Sequence, residues 1–270
     1  MSDLAGVTEA LRSRGRKALV AFLTAGYPDD DVFDEMVLAA ADAGCDVIEV
    51  GVPFSDPVAD GPVIQAASAA ALARGVTLRA TLQRIARLSS QVGVPLVCMS
   101  YVNPILRMGI DAFAETAQAS GVAGCILPDV SFEESAPFRA AARSRGLAYI
   151  DMVAPTSGQA RMRTIAAAAT GFVYLVSVTG VTGARSAPPT GVTELADRVR
   201  AVTATPVYVG FGISTAEQAA NAARHADGVI IGSRLLTLAE DRARAAARVG
   251  AFLAEARHAI DALGRSAISC

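Results

Sequence analysis

The sequence predicts an α/β protein, a closed (β/α)8 TIM barrel, because eight short apolar runs alternate with longer amphipathic stretches and no linker divides the chain. The runs fall at 18–23, 46–50, 95–99, 124–127, 148–152, 173–176, 207–209 and 229–231. Strands apolar on both faces belong to a sheet covered on both sides, and a helix after each strand makes that sheet parallel. Residues 31–43 and 132–145 are examples of such helices. The phrases AGCDVIEVG, SGVAGCILPD, TGFVYLVS and HADGVIIGS repeat one device, a small residue that closes a helix and leads into an apolar strand with a polar end. Residues 3–14 form an extra helix ahead of the first strand, and the whole of 1–270 is expected to be one domain. An open doubly wound sheet is the competing topology.

Composition narrows the function. With 52% apolar residues and 19% charged ones, the chain has ample side-chain area to bury and is not disordered. A net charge of −2 leaves no basic field for nucleic acid or a membrane surface, so the expected partners are small molecules or proteins. Cys45, Cys98, Cys125 and Cys270 form no CxxC pair, which fits unbridged thiols in a reducing, cytoplasmic setting. Residues 1–15 lack the apolar stretch of a signal peptide, and no run reaches the roughly 18 residues of a membrane span.

The missing residue types exclude several chemistries. Lys17 is the one lysine, opens the first strand and is expected at a solvated edge, so imine catalysis lacks its amine. His225 and His258 lie in Ala/Arg-rich helical stretches that suit surface or capping roles. No HExxH and no paired Cys/His cluster is present, so no metal site is expected, and without a Walker loop or a complete GxGxxG the common kinds of nucleotide binding lack their phosphate cradle. Acid and base work falls to carboxylates.

In a barrel the active site lies at the carboxyl ends of the strands. Alternation in the second run puts Val47, Glu49 and Gly51 on one face and Ile48 and Val50 on the other, so a carboxylate stands near the top of an apolar strand. If that face points inward, desolvation raises its pKa as a proton shuttle requires; the alternative is a strand-end glutamate paired with an arginine. Asp56 and Asp60 share the loop PFSDPVADGP, where Asp60 is either a catalytic base or a cap on the helix from Val63. Asp29, Asp30 and Asp31 read as a helix N-terminus. Glycine loops follow the sixth, seventh and eighth strands, with Gly180 and Gly183, Gly210 and Gly212, then Gly232 and Ser233; together they suit a phosphate monoester, and singly each is an ordinary turn. The same alternation places Val20, Phe22 and Thr24 on one face of the first strand and Val97, Met99 and Tyr101 on one face of the third. With Tyr174 and Phe211 at later strand ends they form either an apolar mouth for a flat ring or simple core.

These motifs, from AFLTAGYPD at Ala21 and IEVGVPFSDPVADGP at Ile48 through YVNPI at Tyr101, LPDV at Leu127, EESAPFR at Glu133, YLVSVTGVTGARS at Tyr174, VGFGIS at Val209 and GS at Gly232, span nearly the whole chain. In them the sequence resembles the tryptophan synthase α-subunit family. The resemblance implies retro-aldol cleavage of indole-3-glycerol phosphate to indole and glyceraldehyde 3-phosphate, with Glu49 as the acid/base at indole C3 and Asp60 as the carboxylate facing the indole N–H. It implies phosphate binding at Gly183, Gly212, Gly232 and Ser233, an indole pocket of Phe22, Met99, Leu127, Tyr174 and Phe211, and loop closure that brings Thr182 to Asp60. It further implies no cofactor in this chain and a β-subunit partner, in an α2β2 heterotetramer, that carries pyridoxal phosphate, with Asp56 on the segment that couples the two. Ser131 and Phe132 stand where many relatives carry prolines. A free-standing lyase and a non-catalytic sugar-phosphate-binding barrel remain as other readings of the same residues.

Overall fold

The computed structural model describes residues 3–176, 192–210 and 212–266. Its strands are β1 (Ala18–Thr24), β2 (Val47–Gly51), β3 (Leu96–Met99), β4 (Val122–Ile126), β5 (Ala148–Tyr149), β6 (Asp151–Val153), β7 (Val173–Val176), β8 (Val207–Gly210) and β9 (Gly228–Ile231). They form one parallel sheet in the order β5-β4-β3-β2-β1-β9-β8-β7-β6, which brings the two halves of the fifth run to opposite ends of the ladder. The barrel expectation holds, with one correction. The run 148–152 is not a continuous strand: β5 pairs with β4, β6 pairs with β7, and the change of partner falls at Ile150.

Alternation along the strands sorts the core into two layers. Leu19, Ala21 and Leu23 of β1, Ile48 and Val50 of β2, and Val229 and Ile231 of β9 face outward against helix residues such as Phe33, Met36, Leu82, Ile85 and Phe113. Val20, Phe22, Val47, Val97, Ile126, Ile150 and Ile230 fill the interior. The N-terminal helix Leu4–Ser13, capped by Asp3, closes the bottom: Leu4 is buried in the interior cluster, and the Thr8 hydroxyl donates to the Gly171 carbonyl at 2.8 Å. Lys17 lies at this end too. It is half-buried, not solvated as expected, with Nζ donating to the Ala226 carbonyl at 2.8 Å and its pKa lowered by burial.

Asp29 caps the helix Asp30–Asp42 by accepting from Val32 N–H at 2.9 Å, as the acidic run predicts. The helix expected over 132–145 begins later, at Ala136, because Ser131 and Ser135 bond locally in a preceding turn and Pro137 sits in the first helical turn. Cys45, Cys98 and Cys125 are free and buried, and among the described residues no helix is long and apolar enough to cross a membrane.

Candidate active site

The carboxyl ends of the strands open into a cavity of about 560 Å³. Phe22, Met99, Met152, Tyr174 and Ile230 wall it from the barrel interior, Asp60 and Ile64 border it on the side of the loop after β2, and Gly212, Gly232 and Ser233 border it beyond β8 and β9. The sequence therefore brings together Phe22, Met99, Asp60, Tyr174, Gly212, Gly232 and Ser233. Gly183, Thr182 and Phe211 lie outside the described residues.

Leu127 does not join them. Strand β4 carries an extra residue against β3, and beyond it Ile126 points inward, so Leu127 turns outward to pack with Phe113, Phe138 and Leu147. Asp56 is exposed on the outer side of its loop, where it accepts from Ser55 Oγ at 2.5 Å, and it does not line the cavity.

Glu49 stands in register between Phe22 of β1 and Val97 of β3, on the inward face of β2. It is fully buried, and neither carboxyl oxygen has a hydrogen-bond partner among the described residues. The arginine pairing that sequence left open is not formed among the described residues. Burial without compensation pushes its pKa up to about 8, and the nearby Asp60 charge adds to the rise. The carboxyl group is enclosed behind the cavity wall, next to the Phe22 side chain that lines it.

Asp60 does not cap the following helix. Gly61 occupies the cap position of Pro62–Ala73 without a side-chain bond, and Pro62 removes one of the N–H groups needing a partner. The Asp60 carboxylate accepts from Tyr101 Oη at 3.0 Å, and Tyr101 Oη in turn accepts from Ala59 N–H at 3.0 Å. Burial raises its pKa to about 6, with the tyrosine bond acting the other way. Sequence placed Tyr101 on the correct face of its strand but not beside Asp60, because that contact spans two loops. Met152 and Ile230 were also missed as cavity residues, although their alternation with Ile150 and with Gly228 and Gly232 carried the signal.

Gly212 has φ +42° and open space where a Cβ would stand, whereas a Cβ on Gly232 would come within 3.1 Å of the Phe22 ring. Both positions keep backbone close to the cavity. Near neutral pH the site then holds a protonated Glu49, an ionised Asp60, an apolar wall and glycine loops suited to an anion. Among the described residues no group of three or more His, Cys, Asp or Glu side chains forms a metal-binding cluster.

A family model described as tryptophan synthase alpha chain matches residues 8–262. The chain belongs to that family. It is 46% identical to the tryptophan synthase alpha chain of Geobacter sulfurreducens over 262 residues, 96% of this chain and 99% of the relative. The alpha chain of Burkholderia pseudomallei is 45% identical over 270 residues, 99% of this chain and 100% of the relative. Tryptophan synthase from Mycobacterium tuberculosis superposes with a TM-score of 0.88 at 42% identity, covering 96% of this chain and 98% of that one. The alpha subunit from Legionella pneumophila superposes with a TM-score of 0.86 at 33% identity, covering 97% and 99%. The family is one of lyases in tryptophan biosynthesis, built on the TIM barrel.

Proposed function

We propose that the chain, acting as one barrel domain, is the carbon–carbon lyase that cleaves indole-3-glycerol phosphate to indole and glyceraldehyde 3-phosphate. The observation that carries this reading is a pair of carboxyl groups at one apolar cavity, Asp60 on its border and the unpaired Glu49 just behind its wall, where burial pushes the pKa of Glu49 up to about 8 and that of Asp60 to about 6, so that one donates a proton while the other stays charged.

Direct scission would expel an unstable indole carbanion. Glu49 first protonates ring carbon C3, which turns the ring into an electron sink, and the ionised Asp60 accepts or balances the proton on the ring nitrogen. The Glu49 carboxylate then takes the proton of the adjacent glycerol hydroxyl. The carbon–carbon bond breaks, its electrons return to the ring as the aldehyde forms, any proton that Asp60 accepted goes back to the ring nitrogen, and neutral indole leaves. The indole ring is held among Phe22, Met99, Met152 and Tyr174, and the phosphate on Gly212, Gly232 and Ser233; Phe211 and Gly183, outside the described residues, are assigned to the same two groups by the family resemblance alone. The chemistry needs no cofactor in this chain, and Lys17 stands at the opposite end of the barrel from the site.

The partner is a separate β subunit, in an α2β2 assembly in the cytoplasm, that uses its own pyridoxal phosphate to condense indole with serine. Support comes from the surface: Val58 and Leu106, the exposed large hydrophobics among the described residues, sit on the segments after β2 and β3, on the same side of the barrel as Asp56. The test is indole release from indole-3-glycerol phosphate by the purified chain, with and without a β subunit. Release that the β subunit stimulates is expected. Full activity without stimulation would instead make this a free-standing lyase, and phosphate-ester binding without indole release a regulatory barrel.

A further inference from the structure

Tyr101 links three loops at the barrel mouth. It follows β3 and occupies the cap position of the helix Val102–Met108. The next residue is fixed by Asp129 in the loop after β4, whose carboxylate oxygens accept from Val102 N–H at 3.0 and 3.1 Å. The ring stacks on Phe54 of the loop after β2, with centroids 5.0 Å apart and planes 23° from parallel. Only the hydroxyl then remains to be placed, and it lies between Ala59 N–H, from which it accepts, and Asp60 Oδ2, to which it donates. The Ala59 bond takes a lone pair and leaves the hydroxyl hydrogen for Asp60.

We propose that Tyr101 is a positioning residue for the lyase reaction, holding one oxygen of the Asp60 carboxylate so that the other is presented to the substrate in a fixed orientation. This rests on the reading of Asp60 as the carboxylate that faces the indole nitrogen. Among the described residues Tyr101 is the one hydrogen-bond donor to this carboxylate, and its bond is the directional contact that sets the carboxylate's orientation. The bond also favours the charged form, against the burial that disfavours it. The titratable groups facing Asp60 are Glu49 from β2, Tyr174 from β7 and Tyr101 itself, and burial holds both phenols protonated far above neutrality.

Tyr101→Phe keeps the ring and its stack on Phe54 and removes the hydroxyl. Its kcat is expected to fall about tenfold, the effect of one hydrogen bond to a charged group, with KM within about twofold of the parent. The acidic limb of the kcat profile should move to higher pH, and the Asp60 carboxyl, followed by carbon-13 NMR, should titrate at higher pH in the substrate-free protein. Adding Tyr101→Phe to Asp60→Asn should change the rate little, because the tyrosine acts through the group already altered. An unmoved titration and acidic limb would overturn the proposal. So would a full additional loss of rate in the double variant. If the parent released no indole at all, the lyase reading would fail, while the NMR titration would still decide whether Tyr101 holds Asp60.

Discussion

The fold holds Glu49 protonated up to a pH of about 8, against 4.5 for an unperturbed glutamate. A raised carboxyl pKa means that the folded chain binds the proton more tightly than the unfolded chain. Below about pH 4.5 both states are protonated and Glu49 is neutral in the balance; between 4.5 and 8 the unfolded state gains from ionising and stability falls. Near pH 7 the cost is on the order of 3 kcal/mol as an upper bound. Glu49→Gln removes this pH dependence together with the proton donor. Two outcomes are expected: a lyase rate at least about a hundredfold lower, and a stability advantage over the parent that grows from pH 5 to pH 8 in urea unfolding. A constant difference across that range would mean that water reaches the carboxyl in the native state. For the parent, activity requires Asp60 ionised and Glu49 protonated, so kcat should peak between about 6 and 8.

At the scale of elements, the Phe22 ring is wedged between two glycines on different strand ends. A Cβ on Gly51 of β2 would stand 2.6 Å from Phe22 Cζ, and one on Gly232 after β9 would stand 3.1 Å from Cδ1. Phe22 is buried, so Gly51→Ala cannot be relieved by swinging the ring into solvent; the ring must enter the cavity or the strands must part. The variant should lose about 1–3 kcal/mol of stability and show a raised KM for indole-3-glycerol phosphate, and an unchanged KM would place Phe22 outside the substrate pocket. Alternation along β1, β2 and β3 was legible in the sequence because those strands are regular, and it gave the inward faces of Phe22, Glu49 and Met99. It was not legible where regularity breaks. The extra residue in β4 governs the parity that sends Leu127 outward, and the partner change at Ile150 divides one apolar run into two strands. The bond from Tyr101 to Asp60 joins loops 41 residues apart, beyond any local pattern. The helix Val102–Met108 carries a further consequence, since it displays Leu106 at 53% exposure. Leu106→Asp should leave indole release by the chain alone unchanged while abolishing its stimulation by, and co-elution with, the β subunit. Retained stimulation would move the interface elsewhere.

Over the whole molecule the two ends of the barrel are built for different tasks. Around the mouth, and among the described residues, Glu49 is buried without partners and Asp60 has a single donor, an arrangement that costs stability. The opposite end is densely paired. Asp46, buried just before β2, accepts from Leu19 N–H at 2.9 Å and Arg257 Nη1 at 3.1 Å and pairs with Arg16 at 3.1 Å. Arg257 is also buried, and its guanidinium reaches the Lys17 carbonyl at 2.9 Å and Asp261 at 2.5 Å, so the C-terminal helix Ala245–Ser266 is tied to the start of the barrel. Burial raises the pKa of Asp46, and the two arginines oppose that rise. Arg257→Leu keeps most of the packing volume but leaves a buried carboxylate with one arginine that is itself largely exposed. Breaking a buried pair from one side costs about 3–5 kcal/mol, and the lower end applies here because Arg16 remains. The thermal midpoint should drop by roughly 6–12 °C. Because no group in this cluster touches the cavity, kcat and KM measured at 25 °C should stay within about twofold of the parent. A variant as stable as the parent would show that Arg16 alone compensates Asp46, and a loss of kcat without a loss of stability would refute the division of tasks between the two ends.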